Sequence, residues 1–304
     1  MVGYLFAGQG SQYIGMGKDL YDSFPQAKTV FDKADQVLGF SLSKLCFEGP
    51  KEELTKTNNC QPAIVTTSIA AWEVFKSANK IESDSFAAGL SLGEYSALVA
   101  AGSIKFEDAV HLVRRRGEFM EEEAEKKSGK MLSVIGLDYA QVKQICEEAS
   151  VEIANLNCPG QIVVSGGAEN ITKAQTLAKA KGAKLALILD VSGAFHSSFM
   201  NGASVKLAKE LEKIKINITH IPLISNVTAK PALSVEEIKN NLIKQVASSV
   251  LWEDSMNFML SRGVRNFIEF GPGKVLKGLM RRIDPESSVK TIEKKEDIET
   301  VASS

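Results

Sequence analysis

The segment Gly89-Leu90-Ser91-Leu92-Gly93 is the part of the chain whose residue types and spacing most directly suggest chemistry. A serine with a glycine two residues away on each side, preceded by the small-residue run Ser85-Phe86-Ala87-Ala88 and followed by a helix-forming run, fits a strand–turn–helix nucleophile elbow. Glycines at 89 and 93 let strand and helix approach closely. The Ser91 hydroxyl then projects from the turn, and the amide of Leu92 opens the helix and can donate to an oxyanion. Such a serine needs a base that accepts its proton near neutral pH, and histidine is the usual one. The chain has three: His111, His196 and His220. His111 lies on a helix face turned away from the apolar stripe, and His220 directly precedes a strand expected over 221–224. His196 stands in Gly193-Ala194-Phe195-His196-Ser197, a loop of small residues between a strand and a helix, and is the favoured base. No aspartate is obviously placed to orient it, and a backbone carbonyl accepting from the second ring nitrogen could do so.

Two further residues bear on this site. The helix expected over 106–123 has an apolar stripe of Phe106, Ala109, Val110, Val113, Gly117 and Met120, and Arg116 lies on its edge. Arg116 is either a structural ion-pair partner or a planar fork for a carboxylate in an apolar pocket. The first strand, over 2–6, runs into Ala7-Gly8-Gln9-Gly10-Ser11-Gln12. A dinucleotide fingerprint fails there because Tyr13 stands where the third glycine belongs, and a phosphate loop fails because Gln12 replaces the opening glycine before Gly17-Lys18. The loop can instead place Gln9 over a neighbouring active site.

The elements that must position these residues follow from the pattern. The chain has 304 residues, 44% hydrophobic and 24% charged, with a net charge of −1. It is long enough for one large domain or a domain with a smaller partner. The near-zero charge and lack of a basic run argue against nucleic acid as a partner, and no apolar stretch reaches membrane-span length. Cys46, Cys60, Cys146 and Cys158 are scattered without paired spacing, which predicts reduced thiols in a cytoplasmic protein and no metal site. Helices are expected over 17–24, 25–38, 52–57 and 62–78, the last opened by Gln61-Pro62. From about residue 128 the order becomes β-α-β-β-α-β within about sixty residues, a ferredoxin-like pattern with a turn over 155–160. The fold class is therefore α/β, a hydrolase-like parallel-sheet large domain (1–127 and 191–304) with an inserted ferredoxin-like small subdomain (128–190). Later helices are expected over 198–213, 235–245, 253–260 and 274–282, and a strand over 267–270. Gly271-Pro272-Gly273 is an anion site or a plain strand-to-helix turn, and the tail after about 294 is expected to fray.

Phe6-Ala7-Gly8-Gln9-Gly10-Ser11-Gln12, Gly89-Leu90-Ser91-Leu92-Gly93-Glu94, Arg116-Gly117-Glu118-Phe119-Met120, Gly193-Ala194-Phe195-His196, Ser225-Asn226-Val227-Thr228 and Gly271-Pro272-Gly273-Lys274-Val275-Leu276 together resemble malonyl-CoA:acyl carrier protein transacylases, collinearly over almost the whole chain. The resemblance implies a ping-pong acyl transfer with Ser91 as nucleophile and His196 as base. It implies an oxyanion hole from the Gln9 and Leu92 amides, and Arg116 as partner of the malonyl carboxylate. It further implies Met120, Phe195 and Gln61 as substrate-binding residues and the Gln245 carbonyl as the group orienting His196. Malonyl-CoA and acyl carrier protein are the implied partners; no cofactor is implied, since malonyl-CoA and phosphopantetheine enter as substrates. Phe195 and Leu92 resemble malonyl-selective members. Leu90 departs from the family's usual histidine, and Ser248-Ser249 from its common asparagine-proline; a changed rate or pocket polarity is expected from Leu90. The implied role is in fatty-acid synthesis. A free-standing polyketide acyltransferase, a serine thioesterase or esterase, and a non-catalytic carrier-binding module are the competing possibilities.

Overall fold

The computed structural model describes residues 1–82 and 84–302. Its strands are, in order, β1 (Val2–Phe6), β2 (Ser85–Gly89), β3 (Gly129–Ile135), β4 (Glu152–Cys158), β5 (Gln161–Gly167), β6 (Leu185–Ile188), β7 (Val250–Leu251), β8 (Asn266–Phe270) and β9 (Ser288–Ile292). They form two sheets, β2-β1-β8-β9 and β6-β3-β5-β4-β7. The first is wholly parallel, with β1 central between β2 and β8. Side chains alternate across it. Tyr4 and Phe6 face one layer, where Trp72, Phe75 and Phe270 join them in edge-on and stacked contacts. Leu5, Ala88 and Phe267 face the opposite layer with Trp252, Met256 and Leu279. Burial on both faces explains why the central strand β1 reads as a continuous apolar run.

The second sheet is antiparallel through β6, β3, β5 and β4, the ferredoxin-like order, and packs the helices Tyr139–Ala149 and Ala168–Ala180 on a core of its own. A fifth strand from outside 128–190 joins it: β7 pairs parallel with β4 through Asn155↔Val250 and Leu156↔Leu251. The molecule is thus a mixed α/β fold with a parallel sheet and a separate second sheet.

Several local expectations differ from the structure. The long helix runs Thr57–Ala78 with Pro62 inside it, not at its start. A proline there deprives the Asn58 carbonyl of its helical donor, and Arg114 Nη1 donates to that oxygen instead, at 3.1 Å. The helix Leu42–Glu48 was absent from the sequence pattern. The strand expected over 221–224 is reduced to two isolated bridges at Leu223 and Ile224. The expected turn over 155–160 shrinks to Pro159-Gly160, because β4 extends to Cys158. Residues 198–200 form a 3₁₀ turn ahead of the helix Asn201–Glu212. The tail carries regular structure through its described length. β9 pairs with β8, and Asp297 Oδ2 accepts from the amides of Glu293 and Lys294 at the start of the helix Lys295–Ala302. At Gly271-Pro272-Gly273 the plain turn prevails over an anion site. The buried Glu269 carboxylate already accepts from the amides of Leu276 and Lys277, at 2.9 and 2.8 Å.

Candidate active site

Ser91 occupies the turn between β2 and the helix Gly93–Ala100, with φ +50°. A non-glycine residue in this region is strained and must be held by its surroundings. The flanking glycines have a steric reason. A Cβ on Gly89 would lie 1.9 Å from the Gly93 carbonyl carbon, and one on Gly93 would lie 2.2 Å from the Phe6 carbonyl oxygen. The strain is held by Asn226, whose Oδ1 accepts from the Ser91 amide at 2.6 Å while its Nδ2 donates to the Gly89 carbonyl at 2.8 Å.

His196, at φ +58°, reaches the same point from 105 residues away. Its Nε2 lies 2.8 Å from Ser91 Oγ, and its Nδ1 lies 2.8 Å from the main-chain carbonyl of Gln245. A carbonyl can only accept, so Nδ1 carries the proton and Nε2 is free to accept from the serine. Burial, and after it the Arg116 charge, push the imidazole down to about 4. The ring is therefore neutral, as a base must be, at neutral pH. Of the other histidines, His111 and His220 are both exposed, the latter beside Gly102.

Arg116 is 1% exposed. Gly117 explains how its helix comes so close: a Cβ there would sit 2.6 Å from Asn58 Cα, so Phe106–Lys126 presses directly on the start of Thr57–Ala78. The guanidinium spans the site. Nη1 donates to Gln61 Oε1 at 2.8 Å, and Nη2 donates to Ser91 Oγ at 3.1 Å and Gln245 Oε1 at 3.2 Å. Its carbon lies 5.5 Å from the centre of the Tyr95 ring, a cation–π contact, and buried Nε has no partner among the described residues. Burial lowers its pKa from the usual arginine value. Arg114 and Arg115 point elsewhere, both to Glu118.

These groups open onto a cleft of about 900 Å³ between the two sheets, lined among others by Gln9, Ser91, Arg116, Met120, Phe195 and His196. Gln9 sits in a loop fixed by Ser11 Oγ donating to the Gly8 carbonyl at 2.7 Å and by the Gly10 amide donating to Gln12 Oε1 at 2.8 Å. The amides of Gln9 and Leu92 have no acceptor among the described residues, which leaves both for a ligand oxygen. Gln61 does not line the cleft. It is fully buried behind Arg116, and its Nε2 donates to Met120 Sδ at 3.4 Å. Leu90 lines the cleft beside Ser91.

Sequence reasoning gave no role to two residues that the site uses. Asn226 was legible only as part of a motif. Glu94, 1% exposed, accepts at Oε2 from Gln245 Nε2 at 2.7 Å and from the Asn226 amide at 3.0 Å. Burial pushes it up to about 7, against these hydrogen bonds and the Arg116 charge. An acid on an otherwise apolar helix, Gly-Glu-Tyr-Ser-Ala-Leu-Val-Ala, was the available signal, since such a charge must find partners inside.

A family model described as acyl transferase domain matches residues 3–299. The malonyl CoA-acyl carrier protein transacylase of Bacillus subtilis (strain 168) is 48% identical over 303 residues, which cover 98% of this chain and 95% of that protein. The solved structure of the malonyl CoA-acyl carrier protein transacylase from Coxiella burnetii superposes with a TM-score of 0.96 at 36% identity, over 99% of this chain and 96% of that one. A type II PKS acyl-carrier protein in complex with its malonyl-transacylase gives a TM-score of 0.96 at 39% identity, over 99% of both chains.

Proposed function

The chain belongs to the malonyl-CoA–acyl carrier protein transacylases, within the acyl transferase domain family, and from that premise we propose how its own residues move the malonyl group. It transfers malonyl from malonyl-CoA to the phosphopantetheine thiol of acyl carrier protein. Ser91 Oγ attacks the thioester carbonyl as its proton passes to His196 Nε2. The tetrahedral oxyanion sits against the amides of Leu92 and Gln9. The C–S bond breaks, the CoA sulfur takes the proton from His196, and malonyl-Ser91 remains. The carrier thiol then gives its proton to His196 and attacks that ester, and the proton returns to Ser91 Oγ. Arg116 holds the malonyl carboxylate, with Gln61 bracing the guanidinium from behind. Phe195 and Met120 shape the wall of the acyl pocket, and the Gln245 carbonyl keeps His196 in its productive tautomer.

The single observation that carries this reading is the position of Ser91 Oγ, shared between His196 Nε2 at 2.8 Å and Arg116 Nη2 at 3.1 Å. A serine esterase requires the first contact; the second supports a donor set for an acidic acyl group. The transfer is placed in fatty-acid synthesis. Four free, buried cysteines support a reducing compartment, and among the described residues no helix is long and apolar enough to cross a membrane. The likeness to a carrier complex of a type II PKS keeps a polyketide role as the second reading, and transfer rates to fatty-acid and polyketide carriers separate the two. The central test is intact-mass spectrometry after malonyl-CoA is added. Malonyl should stay on Ser91 until carrier protein removes it. Rapid loss to water without carrier, or no adduct, overturns the assignment of roles.

A further inference from the structure

A buried guanidinium needs a counter-charge, and the carboxylate whose charge acts on Arg116 is Glu94. Glu94 does not line the cleft. Its partners belong to the two residues whose side chains grip the nucleophile. Asn226 holds the Ser91 amide at 2.6 Å and the Gly89 carbonyl at 2.8 Å. Gln245 donates from Nε2 to the Ser91 carbonyl at 3.1 Å, accepts at Oε1 from Arg116, and accepts at its main-chain oxygen from His196. The main-chain amide of Asn226 and the side-chain Nε2 of Gln245 converge on one atom, Glu94 Oε2.

A primary amide has a donor end and an acceptor end, and which way round it sits depends on its neighbours. Glu94 Oε2 and the Ser91 carbonyl both accept, so the NH₂ of Gln245 must face them. Oε1 is thereby turned to the guanidinium, which only donates. The reversed amide would set a donor against Arg116.

We propose that Glu94 is a positioning residue for malonyl transfer: it fixes the orientation of the Gln245 amide and balances the Arg116 charge, so that the fork is held over Ser91 ready for an acidic acyl group. This rests on the transacylase assignment above and adds a residue to its acyl specificity. Glutamine at 94 keeps the shape, removes the charge in every orientation, and in one orientation lets the Gln245 amide turn round. Malonyl uses Arg116 and acetyl does not. A disturbed Arg116 therefore changes the ratio of the two, whereas a generally loosened elbow slows both alike.

The test is single-turnover acylation of the full chain by malonyl-CoA and by acetyl-CoA, followed by intact mass, for wild type, Glu94→Gln and Glu94→Asp, with thermal midpoints as the folding control. Glu94→Gln should lower the malonyl-to-acetyl rate ratio by about tenfold or more, the scale of a lost buried charge-assisted contact. Glu94→Asp keeps the charge and should hold the wild-type ratio while both rates fall. An unchanged ratio in Glu94→Gln, or the same lost ratio in Glu94→Asp, overturns the proposal. Should Glu94→Gln not fold, the aspartate variant decides alone: a retained ratio supports the role and a lost one removes it. Failure of the wild-type chain to take malonyl at all would instead strike the transacylase assignment, before any variant is compared.

Discussion

Truncating Arg116 to alanine separates a carboxylate clamp from a structural ion pair, and the geometry sets the size of the effect. The guanidinium is 1% exposed and already touches Ser91 Oγ at 3.1 Å. An acyl group on that oxygen places its distal carboxylate within the reach of the same fork. Removing one partner of a buried charge pair costs about 3–5 kcal/mol. That corresponds to roughly 10²- to 10³-fold or somewhat more in kcat/KM for malonyl-CoA. Acetyl-CoA brings no carboxylate. It should lose only what the long contact from Nη2 to Ser91 Oγ contributes, about 1 kcal/mol, or less than about tenfold. Truncation also leaves Gln61 Oε1 and Gln245 Oε1 without their donor, so the thermal midpoint should fall in the same variant. Initial rates of transfer to carrier protein with each donor, at matched folded fraction, give the ratio directly. Arg116→Lys keeps charge without the planar fork and should fall between alanine and wild type. Equal losses for malonyl and acetyl would show that Arg116 supports the site without reading the acyl group.

Three other outcomes follow from the same contacts. His196 is held down at about 4 against an ordinary 6.5, so the fold favours the neutral ring. Its stabilising contribution is complete above about 6.5 and is lost as pH falls from there through about 4. Single-turnover acetylation of Ser91, which does not draw on the Glu94–Arg116 charges, should accordingly be flat between pH 6 and 8 and fall with a one-proton slope near 4, and a midpoint near 6.5 would contradict the buried neutral ring. Asn226→Ala removes the acceptor of the Ser91 amide and the donor to the Gly89 carbonyl, so labelling of Ser91 by a fluorophosphonate probe should slow by about tenfold or more; an unchanged rate would mean that the elbow holds its φ of +50° without that brace. Arg114→Ala leaves the Asn58 carbonyl without its substitute donor in the helix that contains Pro62, and should lower stability by about 1–3 kcal/mol in a urea titration, with the malonyl-to-acetyl ratio untouched.

What the sequence revealed depended on how locally each feature is determined. The elbow was legible because its requirement is steric and confined to five residues: with a Cβ at 89 or 93 the turn cannot close. The parallel strands were legible because burial on both faces leaves an apolar run in β1 and, interrupted by Glu269, in β8. The helix Thr57–Ala78 was misplaced at its start because the group that makes Pro62 tolerable, Arg114, lies on a different helix. β9 and the final helix were missed because a polar strand at a sheet edge, and a helix capped by Asp297, draw on partners that spacing does not disclose. Glu94 and Asn226 stayed without a role for the same reason, 132 residues apart in sequence and 3.0 Å apart in space.

The choice of a carbonyl over a carboxylate behind His196 bears on why the acyl group waits for a thiol. A carboxylate at Nδ1 would stabilise the imidazolium that forms when the ring takes a proton. The neutral Gln245 carbonyl gives less of that stabilisation, and the adjacent Arg116 opposes the imidazolium directly. The result is a weak base. A weak base suffices for a phosphopantetheine thiol, since a thiol ordinarily ionises near about 8.5. It is poorly matched to water, whose proton leaves only near about 15.7 in bulk. The features that suit Arg116 to a carboxylate, its charge and its closeness to the nucleophile, thus add to the burial that weakens the histidine as a base. In the proposed mechanism acyl recognition rests on the Arg116 charge and preference for transfer on burial of the imidazole together with that charge, and the Gln245 side chain and main chain keep the charge and the ring in a fixed relation.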